Sequence, residues 1–324
     1  MPATVGLIAN PAAGRDIRRL TAHASVVPNH EKAAIVRRVL HGLAATGVER
    51  VRYLADRAGI VAAAAAAVEA DGVSPAIGLE PLPLHARGSA ADSTEAARLL
   101  AAAGVGALVV LGGDGTNRAV AAACGQVPLV AVSTGTNNVF PTMVDGTVAG
   151  MAAGLVAGGA VDLERVSRRA KRIEVQADGA RDFALIDAAA CLDPFVGSRA
   201  IWDPGRVQAL VLTRAAPWAV GLSAIGGQLR PLDPDEPAGL YVQLGPGPEI
   251  LAAIAPGMVA RVPVAAWRLL RLGEPLTLAG GTRTVALDGE RELAVDGDVT
   301  VAVSATGPRV VDIRATLEAA VRHG

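Results

Sequence analysis

The chain has 324 residues, of which 51% are hydrophobic, 2% aromatic and 19% charged, with a formal net charge of −1 at pH 7. This length favours two domains, because one hydrophobic core seldom organises more than about 250 to 300 residues. The near-neutral charge and the scarcity of aromatic side chains argue against nucleic-acid or anionic-membrane binding, and no apolar run is long enough for stable membrane insertion.

The first 145 residues alternate strand-like and helix-like segments, which predicts a doubly wound parallel α/β sheet. The predicted strands are 4–9, 51–54, 76–79, 107–110 and 127–132, and the predicted helices are 31–45, 60–70 and 93–103. Ser89 or Asp92 is the expected cap of the third helix. The runs of alanine predict slim, closely packed helices. The first residues lack a signal-peptide pattern, so we expect a cytoplasmic protein.

Beyond about residue 161 short alternating segments replace the helices, which predicts an all-β, sandwich-like domain. The predicted strands are 172–177, 184–189, 208–212, 240–244, 276–278, 284–287 and 299–304, and the window 209–229 is interpreted as strand, turn and strand. Asp178-Gly179, Asp288-Gly289 and Asp296-Gly297 are turn signals. Residues 310–321 regain helical spacing, and the tail 308–324 is expected to return to the first domain.

A glycine-rich run, Gly112-Gly113-Asp114-Gly115-Thr116-Asn117, follows the apolar segment 107–110. Glycines let backbone amides approach an anion, and a following helix N-terminus adds a favourable partial charge. A carboxylate such as Asp114 is stable beside phosphates when Mg²⁺, or a hydroxyl that must lose its proton, lies between them. The run predicts a phosphate site, with an ordinary strand-to-helix turn as the alternative.

Two other predicted strand ends carry polar turns. The first is Asn10-Pro11 with Gly14, followed by Arg15, Arg18 and Arg19, and the second is Gly135-Thr136-Asn137-Asn138. These residues are candidates for contact with phosphates, a ribose or a base; the alternatives are strand termination and an Asx-turn for the turns, and a solvated helix face for the arginines. Lys32 and Lys171 are the two lysines of the chain, and neither belongs to a Walker-type loop. A phosphate clamp is therefore expected to use arginine, backbone amides and metal.

The order and spacing of these turns resemble the NAD kinase and diacylglycerol kinase-like superfamily over nearly the whole chain. A fourth motif, Leu287-Asp288-Gly289-Glu290, completes the resemblance. Residues 112–118 and 134–141 are most similar to the ATP-NAD kinase relatives called acetoin catabolism protein X. The resemblance implies an ATP-binding domain over 1–145, a β-rich acceptor-binding domain over 146–307, and phosphoryl transfer from ATP.

The resemblance also implies roles for individual residues. Asp114 is expected to be the catalytic acid–base or to organise Mg²⁺, which phosphate oxygens would mainly hold. Asp288 is expected to activate the acceptor hydroxyl with help from Glu290, and a hairpin turn is the alternative for Asp288-Gly289. The implied nucleotide-binding residues are Asn10, Pro11, Gly14, Gly112, Gly113, Gly115, Thr116, Asn117, Gly135, Thr136, Asn137 and Asn138.

The acceptor side matches the family less closely. Residues 220–231 resemble the NAD kinase segment that ends in a serine, a double glycine and a proline, which implies that Ser223, Gly226 and Gly227 bind the acceptor. The family's threonine-proline-threonine-glycine-serine run is replaced at 212–217. Its asparagine–glutamate pair falls at Ile186-Asp187, where an acid is kept and the amide is lost. These departures count against NAD as the acceptor, although Asp187 stays a candidate.

Three hypotheses follow. The first is an NAD kinase that phosphorylates a ribose hydroxyl to give NADP. The second is a kinase for a lipid or another small alcohol, for which the sequence offers no amphipathic basic helix. The third is a non-catalytic nucleotide-binding regulator. A dinucleotide dehydrogenase is rejected because Gly104-Val105-Gly106 precedes its strand. The resemblance makes a homo-oligomer formed through the β-rich domain a further expectation.

Overall fold

The computed structural model describes residues 3–13, 23, 27–71, 77–135, 137–193, 201, 203–278 and 280–321, without the side chains of residues 291 and 292. Among the predicted site residues, Gly14 and Thr136 lie outside this part of the chain, as do Arg15, Arg18 and Arg19.

The first lobe is built on a sheet of seven strands, counted over the described ranges. They are β1 (Thr4–Ala9), β2 (Arg50–Tyr53), β3 (Gly78–Pro81), β4 (Ala107–Gly112), β5 (Leu129–Ser133), β6 (Ser167–Arg169) and β17 (Arg309–Val311). Their order is 3-2-1-4-5-17-6, and every neighbouring pair is parallel except β17 with β6. β4 and β5 are buried along their whole length, which explains their continuous apolar sequences. The predicted parallel α/β sheet is confirmed.

Helices pack on both faces of this sheet. The helices of one face are α1 (Asn29–Ala45), α2 (Ile60–Asp71) and α5 (Gly146–Ala157), and those of the other are α3 (Ala90–Ala102) and α4 (Asp114–Ala121). α1 and α5 lie so close together that a Cβ on Gly42 would collide with the Thr147 carbonyl oxygen, and one on Gly150 with that of Val39. Small residues therefore set this helix contact, as the alanine-rich sequence predicts.

The second lobe consists of two antiparallel sheets. The strands of the larger sheet, in spatial order, are β12 (Met258–Arg271), β11 (Ala238–Ala255), β10 (Val207–Leu212), β9 (Asp187–Cys191), β14 (Thr284–Leu287) and β15 (Glu290–Ala294). Those of the smaller sheet are β13 (Leu276–Thr277), β16 (Val299–Ser304), β7 (Arg172–Ala177) and β8 (Ala180–Ala184). Ile173 and Val301 of one sheet share a buried cluster with Val211 and Leu287 of the other, so the sheets form a sandwich.

The interpretation of 209–229 as strand, turn and strand is wrong. β10 is followed by a helix, α7 (Leu222–Leu229), which packs on the outer face of the larger sheet. A Cβ on Gly226 would collide with the side chain of Leu212, so the glycine lets the helix approach β10 closely. The predicted strand 184–189 is likewise divided, because β8 ends at Ala184 and β9 begins at Asp187.

The tail returns to the first lobe. β17 pairs with β5 in the seven-stranded sheet, and α8 (Ile313–Val321) packs against its core through Ile313. The short helix α6 (Leu163–Val166) precedes β6. The domain limits stay a prediction, although the burial of Ala149 and Val166 in the first core favours a limit near residue 170. Within the described residues, no helix has both the length and the apolar character needed to cross a bilayer.

We expect Gly150→Ala to lower the free energy of unfolding by about 1–3 kcal/mol, because the new methyl group meets backbone that cannot rotate away. Urea denaturation measures the change. Gly280→Ala is the control, since open space surrounds its Cβ position and its φ is not positive. Equal stability of the two variants would contradict the proposed helix contact.

Candidate functional site

The predicted glycine-rich turn joins β4 to α4, at the carboxyl end of a central strand. Gly113 precedes the helix and Asp114 is its first residue. Side chains at Gly112 and Gly113 would collide with Thr116 and Asn138, respectively. Both glycines are therefore required by packing, and they leave bare backbone at the N-terminus of α4.

Asp114 is half-buried and accepts hydrogen bonds from two backbone amides. Its Oδ1 lies 3.0 Å from Val139 N and 2.7 Å from Phe140 N. From the second lobe, Arg214 donates to the Val139 carbonyl at 3.3 Å, with its guanidinium carbon 5.5 Å from the centre of the Phe140 ring. Burial lowers the pKa of Arg214 to about 10, so it stays charged at neutral pH. An acid of one lobe and an arginine of the other thus hold the same peptide segment.

The turn after β1 contacts the glycine-rich helix. Asn10 Nδ2 donates to Thr116 Oγ1 at 2.8 Å, and Asn10 Oδ1 accepts from Ala12 N at 2.9 Å. The backbone amide of Asn10 donates to the Leu111 carbonyl at 3.0 Å. Two motifs separated by about a hundred residues therefore meet at one edge of the sheet, with Pro11 in the same turn.

The third polar turn follows β5 and lies beside the first two. Asn138 Nδ2 donates to Ser133 Oγ at 2.9 Å, and a Cβ on Gly135 would lie 3.1 Å from that nitrogen. Asn137 is half-buried. Two buried oxygens, Asn117 Oδ1 and Thr134 Oγ1, have no hydrogen-bond partner among the described residues. Because buried polar atoms are normally satisfied, these oxygens mark places where a ligand or water would bind.

Asp288 occupies a hairpin turn and is also a buried acid, and its predicted role in activating the acceptor hydroxyl stays a prediction. Asp288 and Gly289 have φ values of 52° and 76°, almost the same as 48° and 79° at the turn of Asp178 and Gly179. Both turns thus have the pair of positive φ angles typical of a two-residue hairpin. Asp178 is exposed, whereas the Asp288 side chain is fully buried and accepts from Leu185 N at 2.9 Å and Ile186 N at 2.7 Å.

Asp288 belongs to a cluster of charged groups between the lobes. Burial raises its pKa from 3.8 to about 8, and the carboxylates of Asp187 and Asp114 act in the same direction. The Ile186 amide and the Arg118 guanidinium oppose this shift of the pKa. The Nε of Arg118 lies 3.7 Å from Asp288 Oδ2. The acid is therefore held in its neutral form at neutral pH.

Two other members of the acceptor prediction lie in this cluster. Asp187 is buried, and its Oδ1 accepts from Gly289 N at 3.0 Å. Glu290 reaches towards α4, because its Oε1 lies 4.0 Å from the position of a Cβ on Gly115. Asp187 thus contacts the hairpin of Asp288 and Gly289, and Glu290 lies close to the glycine-rich helix α4.

The serine and double-glycine motif has contacts within its own lobe. Ser223 is buried in the first turn of α7, and its Oγ has no hydrogen-bond partner in the part of the chain that the structure describes. Side chains at Gly226 and Gly227 would collide with Leu212 and with the backbone of Ala216. Close helix packing therefore accounts for both glycines, and their role in acceptor binding stays a prediction.

Sequence reasoning missed two arginines. Arg118 donates to Asp182 Oδ1 at 3.2 Å. Its position four residues after Asp114 is the signal that could have found it, because this spacing places both side chains on one face of a helix. Arg214 stands in the segment 212–217 that departs from the family pattern, so its position gave no signal.

The fold and the glycine-rich turn define a nucleotide-kinase-like class of protein, and comparisons with known proteins identify the family. A family model described as the ATP-NAD kinase N-terminal domain matches residues 5–160, and one described as the acetoin catabolism protein X C-terminal domain matches residues 171–307.

The chain is also similar to acetoin catabolism protein X of Cupriavidus necator. The two sequences are 41% identical over an alignment of 334 positions, gaps included, which covers 98% of this chain and 92% of that protein. The chain therefore belongs to the acetoin catabolism protein X family, and its first lobe matches the ATP-NAD kinase N-terminal domain. The resemblance predicted from the motifs is confirmed.

The raised pKa of Asp288 predicts how stability depends on pH. Above pH 3.8 the unfolded chain releases a proton that the folded state keeps up to about pH 8. The stability that Asp288 contributes is thus fully present below pH 3.8 and is lost as the pH rises towards 8. We expect the free energy of unfolding to fall with pH relative to Asp288→Asn, by at most about 1.4 kcal/mol per pH unit.

Urea denaturation at several pH values between 4 and 8 measures this difference. Asp178→Asn is the matched control, because that exposed residue occupies a turn of the same conformation. Its profile should follow that of the wild type. Parallel profiles for the wild type and Asp288→Asn would contradict the buried, protonated acid.

Proposed function

We propose that this protein is an ATP-dependent phosphotransferase that acts on a hydroxyl group, with the ribose of NAD as the first candidate acceptor and NADP as the product. The main supporting observation is the position of Asp114. This partly exposed acid stands at the N-terminus of α4, beside bare glycine backbone and close to the charged groups of the second lobe. A phosphotransferase needs a carboxylate and backbone amides at one place and little other protein chemistry.

ATP would bind along the edge where the three polar turns meet. The proposed nucleotide contacts are those predicted from sequence, including Gly14 and Thr136, and the bond from Asn10 to Thr116 supports them. The partnerless oxygens of Asn117 and Thr134 are ligand atoms of the type that Mg²⁺ prefers. No group of three or more metal-ligating side chains lies among the described residues, so phosphate oxygens would hold most of the coordination shell, with Asp114 as the protein ligand.

Bound Mg²⁺ would neutralise charge on the phosphate oxygens. Asp114 is the first candidate for taking the proton of the acceptor hydroxyl as that oxygen bonds to the γ-phosphorus and the bond to the β-phosphate breaks, releasing ADP. Asp288 is the second candidate, because the amides of residues 185 and 186 enclose it and its raised pKa means that it must lose its own proton before it can take that of the acceptor. Glu290 is proposed to orient the acceptor.

A second acceptor class, a small alcohol other than NAD, is favoured by the region of Ile186 and Asp187. Ile186 is fully buried, and the Asp187 carboxylate already accepts the Gly289 amide. The pair therefore has fewer polar groups available to hydrogen-bond a dinucleotide than the asparagine and glutamate of the NAD kinase pattern.

The direct test is incubation of the full chain with Mg²⁺, ATP and NAD, followed by enzymatic detection of NADP and ADP. Parallel reactions replace NAD with diacylglycerol in mixed micelles or with a panel of small alcohols. NADP formation supports the first acceptor, and another phosphorylated product supports the second. Binding of ATP without any transfer would instead support a nucleotide-binding regulator.

We expect Asp114→Asn to lower the transfer rate by about 100- to 10,000-fold, because the acceptor loses its base or the metal its protein ligand. The rate is measured at saturating ATP and acceptor. Asp178→Asn, which changes an exposed acid of the second lobe, should keep the wild-type rate. An unchanged rate in Asp114→Asn would exclude the proposed role of this residue.

A further inference from the structure

Both lysines of the chain are buried, and each donates hydrogen bonds to three carbonyl oxygens. Lys32 is 0% exposed, and its Nζ lies 3.0, 3.1 and 3.2 Å from the carbonyl oxygens of Asn10, Pro11 and Ala13. Lys171 is 5% exposed and donates in the same way to Asp233, Glu236 and Ala238, at 3.1, 2.7 and 2.8 Å. The two ammonium groups thus have similar surroundings in different lobes.

Lys32 lies beneath the polar turn that follows β1. It belongs to the first turn of α1, and its side chain crosses to the backbone of residues 10–13. Asn10 connects this lysine to the glycine-rich helix, because its carbonyl accepts from Lys32 while its side chain donates to Thr116. Lys32 is therefore linked to the proposed phosphate site through a single residue, Asn10.

Burying an ammonium group is costly, because it loses its water shell. Three carbonyl dipoles offset part of this cost and hold the turn in one conformation. The protonated side chain also carries a positive charge, whose field in a buried region is screened less than in water. An anion on the outer side of the turn would therefore interact favourably with a charge that it does not touch.

We propose that Lys32 is a positioning residue for a polyphosphate: it fixes the turn of residues 10–13 and supplies positive charge beneath it. This inference depends on the proposed function for one point, namely that ATP is the ligand. It would add a lysine to the arginine, backbone amides and metal that the sequence predicts for the phosphate clamp.

A purely structural lysine would make the same hydrogen bonds, and Lys171 provides the comparison. The 233–238 segment that Lys171 holds contains none of the predicted nucleotide-binding residues. Neutralising either lysine should lower stability, because three carbonyls lose a charged donor. Only the loss of charge at Lys32 should change affinity for phosphates.

The test uses the full chain with Lys32→Gln, Lys32→Met and the control Lys171→Gln. Glutamine keeps two N–H donors for the three carbonyls and removes the charge, whereas methionine removes both. Calorimetry gives the Kd for Mg²⁺-ATP, AMP and inorganic tripolyphosphate, and thermal melting reports folding. We expect both Lys32 variants to bind ATP and tripolyphosphate about tenfold more weakly or worse, with a smaller loss for AMP. Lys171→Gln should bind all three as the wild type does.

Three results would overturn the proposal: unchanged ATP affinity in Lys32→Gln, equal losses for ATP and AMP, or failure of both Lys32 variants to fold while Lys171→Gln folds. The proposed activity can fail without affecting this test. If the wild-type protein binds ATP but transfers no phosphate, the affinities of the variants can still be compared. A wild-type protein that binds neither ATP nor tripolyphosphate would overturn both.

Discussion

Arg118 forms the charged contact between α4 and the second lobe, and the geometry of the candidate site depends on it. It donates to Asp182 and lies near the buried carboxyl of Asp288. Burying an acid is costly because it loses its hydration, and here the amides of residues 185 and 186 and Arg118 offset part of that cost, while the raised pKa keeps the acid neutral. Because Asp114 is one helical turn before Arg118, the same contact fixes the glycine-rich turn relative to the β-rich lobe.

The candidate site consists largely of backbone that a few charged side chains hold in place. Asp114 accepts the amides of Val139 and Phe140, and Arg214 donates to the carbonyl of the first. Lys32 performs the corresponding task for the turn after β1. Hydrogen bonds to charged groups are stronger than those between neutral groups, so these contacts keep the turns in a defined shape before a ligand arrives.

The departures from the NAD kinase pattern have their own contacts. Thr213 Oγ1 donates to the Leu185 carbonyl at 2.6 Å, which supports the same segment whose amides bind Asp288. Arg214, the next residue, reaches the loop after β5. Two residues of the segment 212–217 thus hold backbone on either side of the contact between the lobes. A contact built from different residues is consistent with an acceptor site that differs from that of NAD kinases.

The sequence by itself determined the parallel sheet, the sandwich and the three polar turns, because apolar runs, alternation and glycines reflect local conformation and burial. It did not reveal helix α7, whose glycines pack against Leu212 and Ala216 and give no helical signal. Local turn signals also did not distinguish Asp288 from Asp178, since both occupy the same type of turn, and only the family resemblance singled out Asp288. Only the tertiary structure decided that one acid is exposed and the other buried beside Arg118, and that Lys32 lies beneath Asn10. Burial and charge pairing depend on residues that are distant in the chain, and local patterns carry no information about them.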